Sequence, residues 1–296
     1  MGAPLEFYNG EITLRFSERD HIYYLLAADG TLAAVEGVTQ TCGIIDKSMY
    51  LIPWAVKMAA EKLLRTMPKP AADSDEISIK WTEFETLVTE AKKAHKEKLV
   101  DAGDVGSAAH SWIEDSIRWA IAHKKGVVEN LTAQAPEDER AKNCGHAALD
   151  WMKLHNVRWL KTEHKIYSRK HGYAGTMDGL AFVDSCDGEC CYLKKFRDQL
   201  SIIDWKSSNY LRIDYLLQTA AYQQAEMEEF ETDIRARWIL RLGKEDGKFE
   251  PWYETDFDRD FEAFRLCLTL RRQHGIIEKA MADTKKTRTA MKKAGF

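Results

Sequence analysis

Long apolar runs are missing from this 296-residue chain. None approaches the ~20 residues that a membrane-spanning helix needs, and the opening stretch MGAPLEFYNGEITLRF lacks the apolar core of a signal peptide. The expectation is a protein acting in the cytoplasm, nucleoid included, without a membrane partner. Cysteine is sparse and irregular, at positions 42, 144, 186, 190, 191 and 267. That scatter argues against a disulfide framework in a chain of this size. No CxxC pair or neighbouring histidine gives Cys186, Cys190 and Cys191 the spacing of a zinc site, so inert, reduced thiols in a loop or hairpin are expected. Internal repeats and low-complexity tracts are absent. So is an excess of positive charge: the net value of -4 at first argues against a polyanionic partner.

The distribution of charge is less even than the total. From Arg265 to Phe296 there are nine Lys and Arg against Glu278 and Asp283, a net of +7, which leaves -11 on the rest of the chain. Such asymmetry suits a protein that meets phosphates with one surface, and it equally suits a solvated basic helix.

Residues 5–45 alternate apolar and polar in short runs with turn signals at Asn9-Gly10 and Asp29-Gly30, which predicts a small β-meander. A helix is expected from Asp46, as cap, to about Met67, with Pro53 marking its first turn. A second is expected over Ile79 to Val100, a third from Asp104 or Ser107 to before Gly126, and a fourth over Ala141 to His155. Four strands follow (LKTEHKIYS, YAGTMDGLAFVD, CYLKKF, LSIIDWKSS), then the helix IDYLLQTAAYQQAEMEEF, a hairpin turning at Asp246-Gly247, and a long helix from about Asp258. The order implies an α/β domain with a mixed sheet flanked by helices. The expected division is 1–103, 104–255 and 256–296.

Four features in the central segment carry chemistry. His110 and Glu114 lie four apart on one helical face, flanked by Ile113, Ile117 and Ile121. Asp178 sits mid-strand between Gly175 and Gly179, which would leave room for a ligand to approach the backbone. Asp204 and Lys206, two apart on a strand, share a face, while Trp205 points the other way into the core. Gln218 and Tyr222 are again four apart on a helix. Each has a bland explanation; the acid and lysine alone could be a surface ion pair worth ~0–1 kcal/mol. Two carboxylates on neighbouring strands, however, repel unless something positive lies between them, and a divalent metal supplies that charge.

The order His110, G-T-M-D-G around Asp178, I-I-D-W-K around Asp204 and Lys206, and Q-T-A-A-Y at Gln218 and Tyr222 resembles the PD-(D/E)XK nuclease superfamily, specifically its RecB-like, phage-type exonuclease branch. The likeness covers about residues 104–243, with a weaker one over residues 11–60. It implies a restriction-endonuclease-like core, with the β-meander and helices before it and a helix after it. It also implies hydrolysis of DNA phosphodiesters with Mg²⁺, Mn²⁺ being acceptable where imidazole is a ligand. Asp178 and Asp204, with His110 and the backbone carbonyl of Trp205, would hold the metal. Lys206 would contact the scissile phosphate and the attacking water. Glu114 would bind a second ion or position the water, with Glu163 a weaker candidate for that task, and Gln218 and Tyr222 would support the site and contact the DNA backbone.

The pattern has departures. Met177 replaces the strict proline before the first acid, and 26 positions separate Asp178 from Asp204, implying an inserted hairpin. Some relatives hold an iron-sulfur cluster with three cysteines after the core, but only Cys267 lies beyond Gln218, so none is expected. No zinc finger, helix-turn-helix or stacking ladder stands out, which points to cutting without sequence specificity. The activity expected is an exonuclease in phage recombination or end processing, with a single-strand annealing or recombination protein as a partner and an oligomer compatible with the family. A structure-specific endonuclease or nickase, and an inactive DNA-binding protein of the same fold, are the alternatives.

Overall fold

A computed structural model describes residues 2–132, 134–188, 191 and 195–293. Cys190 and the middle of the expected strand CYLKKF lie outside the described residues. The chain divides into two compact units: residues 46–108, and Met1–Ile45 together with Ala109–Phe296.

The smaller unit holds helices α2 (Ser48–Thr66), α3 (Trp81–Ala91) and the first part of α4 (Ala94–Ala122). Asp46 accepts from the Ser48 N–H at 2.8 Å where α2 begins, so Pro53 falls inside the helix instead of at its first turn. Trp54 meets His95 edge-on at 6.5 Å, and Lys62 pairs with Glu97 at 3.3 Å. The break expected between Val100 and Asp104 is at Lys92–Lys93, where the Lys93 N–H turns back to the Glu90 carbonyl at 3.0 Å. Gly103 and Gly106 remain inside α4. A helical glycine costs only about 1 kcal/mol relative to alanine, too little to end a helix whose flanking turns are both formed.

The larger unit is built on one mixed nine-stranded sheet. Strands β1 (Leu5–Phe7), β2 (Ile12–Ser17), β3 (Ile22–Leu26) and β4 (Leu32–Gly37) form the antiparallel meander, with Gly10 and Gly30 at φ +86° and +83° in its turns. The short α1 (Val38–Cys42) follows. Beyond α4 come α5 (Glu139–Leu154), whose first turn is capped by Asp138 accepting from the Arg140 N–H at 2.8 Å, and then β5 (Arg158–Ser168), β6 (Tyr173–Val183) and β7 (Gln199–Lys206). Helix α6 (Ile213–Phe230) leads to the hairpin of β8 (Ala236–Leu242) and β9 (Phe249–Glu254), and α7 (Phe257–Lys293) ends the described chain. β4 runs parallel to β6 and β7 parallel to β8, while β5–β6, β6–β7 and β8–β9 are antiparallel.

Each sheet face buries one kind of core. Under α6 and α7 lie Met177, Leu180, Ile202, Ile239 and Tyr173, the last met by Phe264 of α7 at 4.9 Å. On the other side Trp151 of α5 packs against Trp205 at 5.8 Å and Trp238 at 5.4 Å, and Trp159 meets Trp205 at 5.9 Å. Arg237, fully buried, ties α6 to α7 by donating to the Leu216 carbonyl at 3.0 Å and to Asp260 Oδ2 at 2.7 Å. Packing thus divides the chain differently from the expected cuts at 103 and 255. The meander joins the sheet where β4 meets β6, and α7 packs on α6. From Arg272 through Met291 α7 is exposed along its length, so its basic residues face solvent. Among the described residues no helix is long and apolar enough to cross a membrane.

Candidate metal centre

The site grows from an interruption in the sheet. β5 lines one edge of β6 along almost its whole length, so β4 and β7 must share the other edge. β4 holds it at Tyr173 and Ala174, and β7 begins at Gly179, opposite Ile203. Among the described residues, 175–178 have no strand partner on that edge. Strict alternation also slips here. Met177 and Leu180 belong to the same core cluster although they are three apart. On β5, Lys161 and His164, also three apart, both reach Glu226. The slip falls on Asp178 and on Glu163, which stands between the paired residues Thr162↔Gly179 and His164↔Met177. Glu163 takes φ +44°, a left-handed conformation that costs a non-glycine residue about 1–3 kcal/mol and concentrates at functional sites.

Where the two strands part, three donors converge: ligand atoms of His110, Glu163 and Asp178 all lie within 4.8 Å of one another. Helix α4 delivers the histidine. Ala109, Ile113, Ile117 and Ala120 bury one stripe of that helix and leave His110 half-buried at its margin. Its Nδ1 is 3.8 Å from Asp178 Oδ2. The Trp205 N–H, released from the ladder beyond Ile203, donates to Asp178 Oδ2 at 2.8 Å, and the Trp205 backbone also contacts the His110 ring. Burial holds His110 below the ordinary imidazole range, although Asp178 pulls the other way. Burial, and then the charge of Asp178, push Glu163 up.

Asp204 and Lys206 stand on the α6 face of β7, with Lys206 Nζ 2.6 Å from Asp204 Oδ2 and 4.9 Å from the centre of the Tyr215 ring. Asp204 is 1% exposed, and its Oδ1 has no partner among the described residues. Burial raises it to about 7 against the pull of Lys206, and Asp178 adds to the rise. Lys206 loses stability as a cation through burial, but Asp204 and Asp178 outweigh that and raise it. Gln218 donates to the Tyr222 hydroxyl at 2.6 Å and reaches Thr39 Oγ1 at 3.4 Å. Burial raises Tyr222 far above the usual phenol range, and Asp204 and Asp178 are near enough to add to it.

The expected residues are therefore regrouped. His110 and Asp178 converge as donors, but the third member of that group is Glu163, while Asp204 is engaged by Lys206. Glu114 is not drawn in, because Arg118, one turn along, holds its carboxylate. Trp205 directs its indole into the tryptophan core and only its backbone to the site. The two glycines do not open the backbone to a ligand. A Cβ on Gly179 would lie 2.2 Å from Trp159 Cζ3, and one on Gly175 would lie 2.8 Å from Tyr222 Cε1, so protein side chains fill both spaces.

The donor set suits a hard divalent cation. Carboxylate oxygens with one imidazole match Mg²⁺ or Mn²⁺, and clustered acids with a buried, partnerless oxygen on Asp204 are what such a cation would neutralise. No family model matches the chain, and no curated protein matches it.

Proposed function

We propose that the chain is a Mg²⁺- or Mn²⁺-dependent deoxyribonuclease with a restriction-endonuclease-like core of the PD-(D/E)XK, RecB-like type. It acts as an exonuclease that hydrolyses phosphodiesters without reading sequence, in phage recombination or DNA end processing. The observation carrying this reading is the convergence of His110, Glu163 and Asp178 at the parting of β6 and β7, with the Asp204–Lys206 pair on the adjoining strand.

The metal would be held by His110, Glu163 and Asp178, with Asp204 and the Trp205 carbonyl as further oxygen donors. When bound it would polarise a phosphoryl oxygen and make a coordinated water more acidic. The Trp205 N–H fixes the Asp178 carboxylate in one orientation, which sets the geometry before substrate arrives. Lys206, kept charged by two acids and only 16% exposed, presents an ammonium in a site shielded from bulk water. Aimed at a phosphate, that charge stabilises the negative charge that grows in the transition state, and the same group orients the attacking water. Gln218 and Tyr222, joined to each other, brace the floor of the site beneath Gly175. The solvent-facing basic residues of α7 supply phosphate contacts that make affinity fall with salt.

The test uses linear and covalently closed circular DNA with Mg²⁺ or Mn²⁺, wild type beside Asp178→Asn and Lys206→Met. The reading requires loss of linear DNA in wild type alone, with circles intact. Cutting of circles would reassign the chain as an endonuclease, and folded wild type that binds DNA without cutting it would reassign it as a binding protein.

A further inference from the structure

A second cluster of donors lies at the C-terminal end of α5. His155, at the C-terminal end of α5, is fully buried, and Cys186 and Cys191 are 5% and 6% exposed. Ligand atoms of the three all fall within 4.8 Å of one another. We propose that His155, Cys186 and Cys191 hold a zinc ion that fastens the excursion between β6 and β7 to the end of α5.

Donor chemistry selects the ion. Two sulfurs and an imidazole form a soft, borderline set that favours Zn²⁺ and is a poor host for Mg²⁺. Charge balance favours the same ion at this depth. As Zn²⁺ enters, each thiol gives up its proton to solvent, and two thiolates, a neutral imidazole and a divalent cation sum to zero. A neutral complex can be buried without the penalty of an isolated charge.

Packing holds the imidazole in place. His155 sits between the rings of Trp151 and Trp238, with centroids at 5.1 and 5.0 Å, so its plane is set by packing. Its Nδ1 is 2.9 Å from the Asp184 carbonyl and 3.8 Å from Cys191 Sγ, while the Asp184 N–H donates to the His155 carbonyl at 2.9 Å. Nδ1 is thus both the nitrogen facing Cys191 and the one bonded to the Asp184 carbonyl, so an ion taken up at that nitrogen displaces this hydrogen bond.

The excursion has a use for such a clip. Asp187, Gly188, Lys195, Arg197 and Asp198 are exposed. Among its described residues, apolar anchorage comes from the two cysteines and from Phe196, stacked 5.4 Å from Tyr253. Polar bonds hold its two ends together, Asp198 N–H to Asp184 Oδ1 at 2.9 Å and Ser185 N–H to the Phe196 carbonyl at 3.0 Å. A metal bridge from the loop to α5 limits its freedom in a way those end-to-end bonds cannot.

The experiment measures metal in the full-length protein purified with zinc in the medium and without chelator. Wild type and Cys267→Ser should each carry about one zinc per chain, and Cys186→Ser/Cys191→Ser less than a tenth of that. Co²⁺ added to zinc-stripped wild type should give thiolate-to-cobalt charge transfer and the visible bands of tetrahedral cobalt, unaffected by excess Mg²⁺. Zinc removal should lower the melting temperature of wild type by several degrees, a readout that stands even if the double variant folds poorly. Folded wild type without zinc and without the cobalt–thiolate band would overturn the proposal, as would a Cys186–Cys191 disulfide in freshly isolated protein. None of these outcomes depends on nuclease activity.

Discussion

Replacing Gly179 by alanine separates two meanings of the same glycine. A Cβ at that position would meet Trp159 Cζ3 at 2.2 Å and Cε3 at 3.0 Å. Unstrained carbon atoms sit about 3.5–4.0 Å apart, so the indole must retreat by more than about 1 Å. It has little room: Trp159 packs on Trp205 at 5.9 Å, and its Nε1–H donates to Met152 Sδ at 3.3 Å. Overpacking of this kind costs about 1–3 kcal/mol, which for a chain of this size lowers the melting temperature by roughly 3–10 °C. Because Trp159 presses on Trp205, whose N–H holds Asp178, Mg²⁺-dependent cleavage should weaken with stability, while DNA binding without metal should not. The assay is a thermal melt beside an equilibrium DNA titration. Combining Gly179→Ala with Trp159→Leu should recover about 1–2 kcal/mol relative to the sum of the single changes. If Gly179→Ala melts with wild type and loses DNA binding, the glycine serves ligand approach and the packing account is wrong.

Other outcomes follow from the same geometry. Glu163→Gln should cut Mg²⁺-dependent cleavage by about 10²-fold while Glu114→Gln stays near wild type in the same assay; the reverse order would put the helical glutamate in the site. Asp204, raised to about 7 by burial, makes the metal-free protein less stable as pH climbs. Below about pH 4 the carboxyl is protonated in both folded and unfolded chains and carries no penalty; above about pH 7 it must ionise in place, at a cost on the order of a few kcal/mol. Denaturant melts in EDTA at pH 5 and pH 8 should therefore show wild type losing stability relative to Asp204→Asn, and Mg²⁺ restoring it at pH 8; parallel curves would refute this. Arg237→Met removes one of the donors to the α6 carbonyl of Leu216, which keeps the Thr219 hydroxyl, and breaks a buried ion pair with Asp260, and should lower unfolding stability by about 3–5 kcal/mol; a loss under about 1 kcal/mol would show the pair to be dispensable.

The local pairings of the candidate site could be read from spacing. Asp204 and Lys206 share a face by the two-residue period of a strand, and Gln218 and Tyr222 touch by the four-residue period of a helix. What spacing does not carry is register between elements. Glu163 joins Asp178 only because β5 and β6 pair with Thr162 opposite Gly179 and both strands slip in phase there, and no run of residues announces a left-handed glutamate. The glycines are legible as gaps but not as to what fills them, since Trp159 is 20 positions from Gly179 and Tyr222 is 47 from Gly175. His155 likewise stands 31 positions before Cys186, beyond the short intervals by which zinc ligands are recognised. The helix boundary near residue 92 is hidden for a different reason: Gly103 and Gly106 are weak helix breakers, while the turn at Lys92–Lys93 has no glycine or proline to mark it.

The shared edge of β6 also acts as a ruler for what length changes the chain tolerates. β4 grips that edge up to Ala174 and β7 from Gly179, so four residues, 175–178, span the interval between two independent grips. One residue added or removed there would move one grip relative to the other and turn Asp178 away from Trp205, because a single-residue shift exchanges the faces of a strand. The excursion at 184–198 joins the far ends of β6 and β7 and lies outside that interval. Natural variation in length among proteins built on this plan should therefore collect in the excursion and spare the four residues before Gly179.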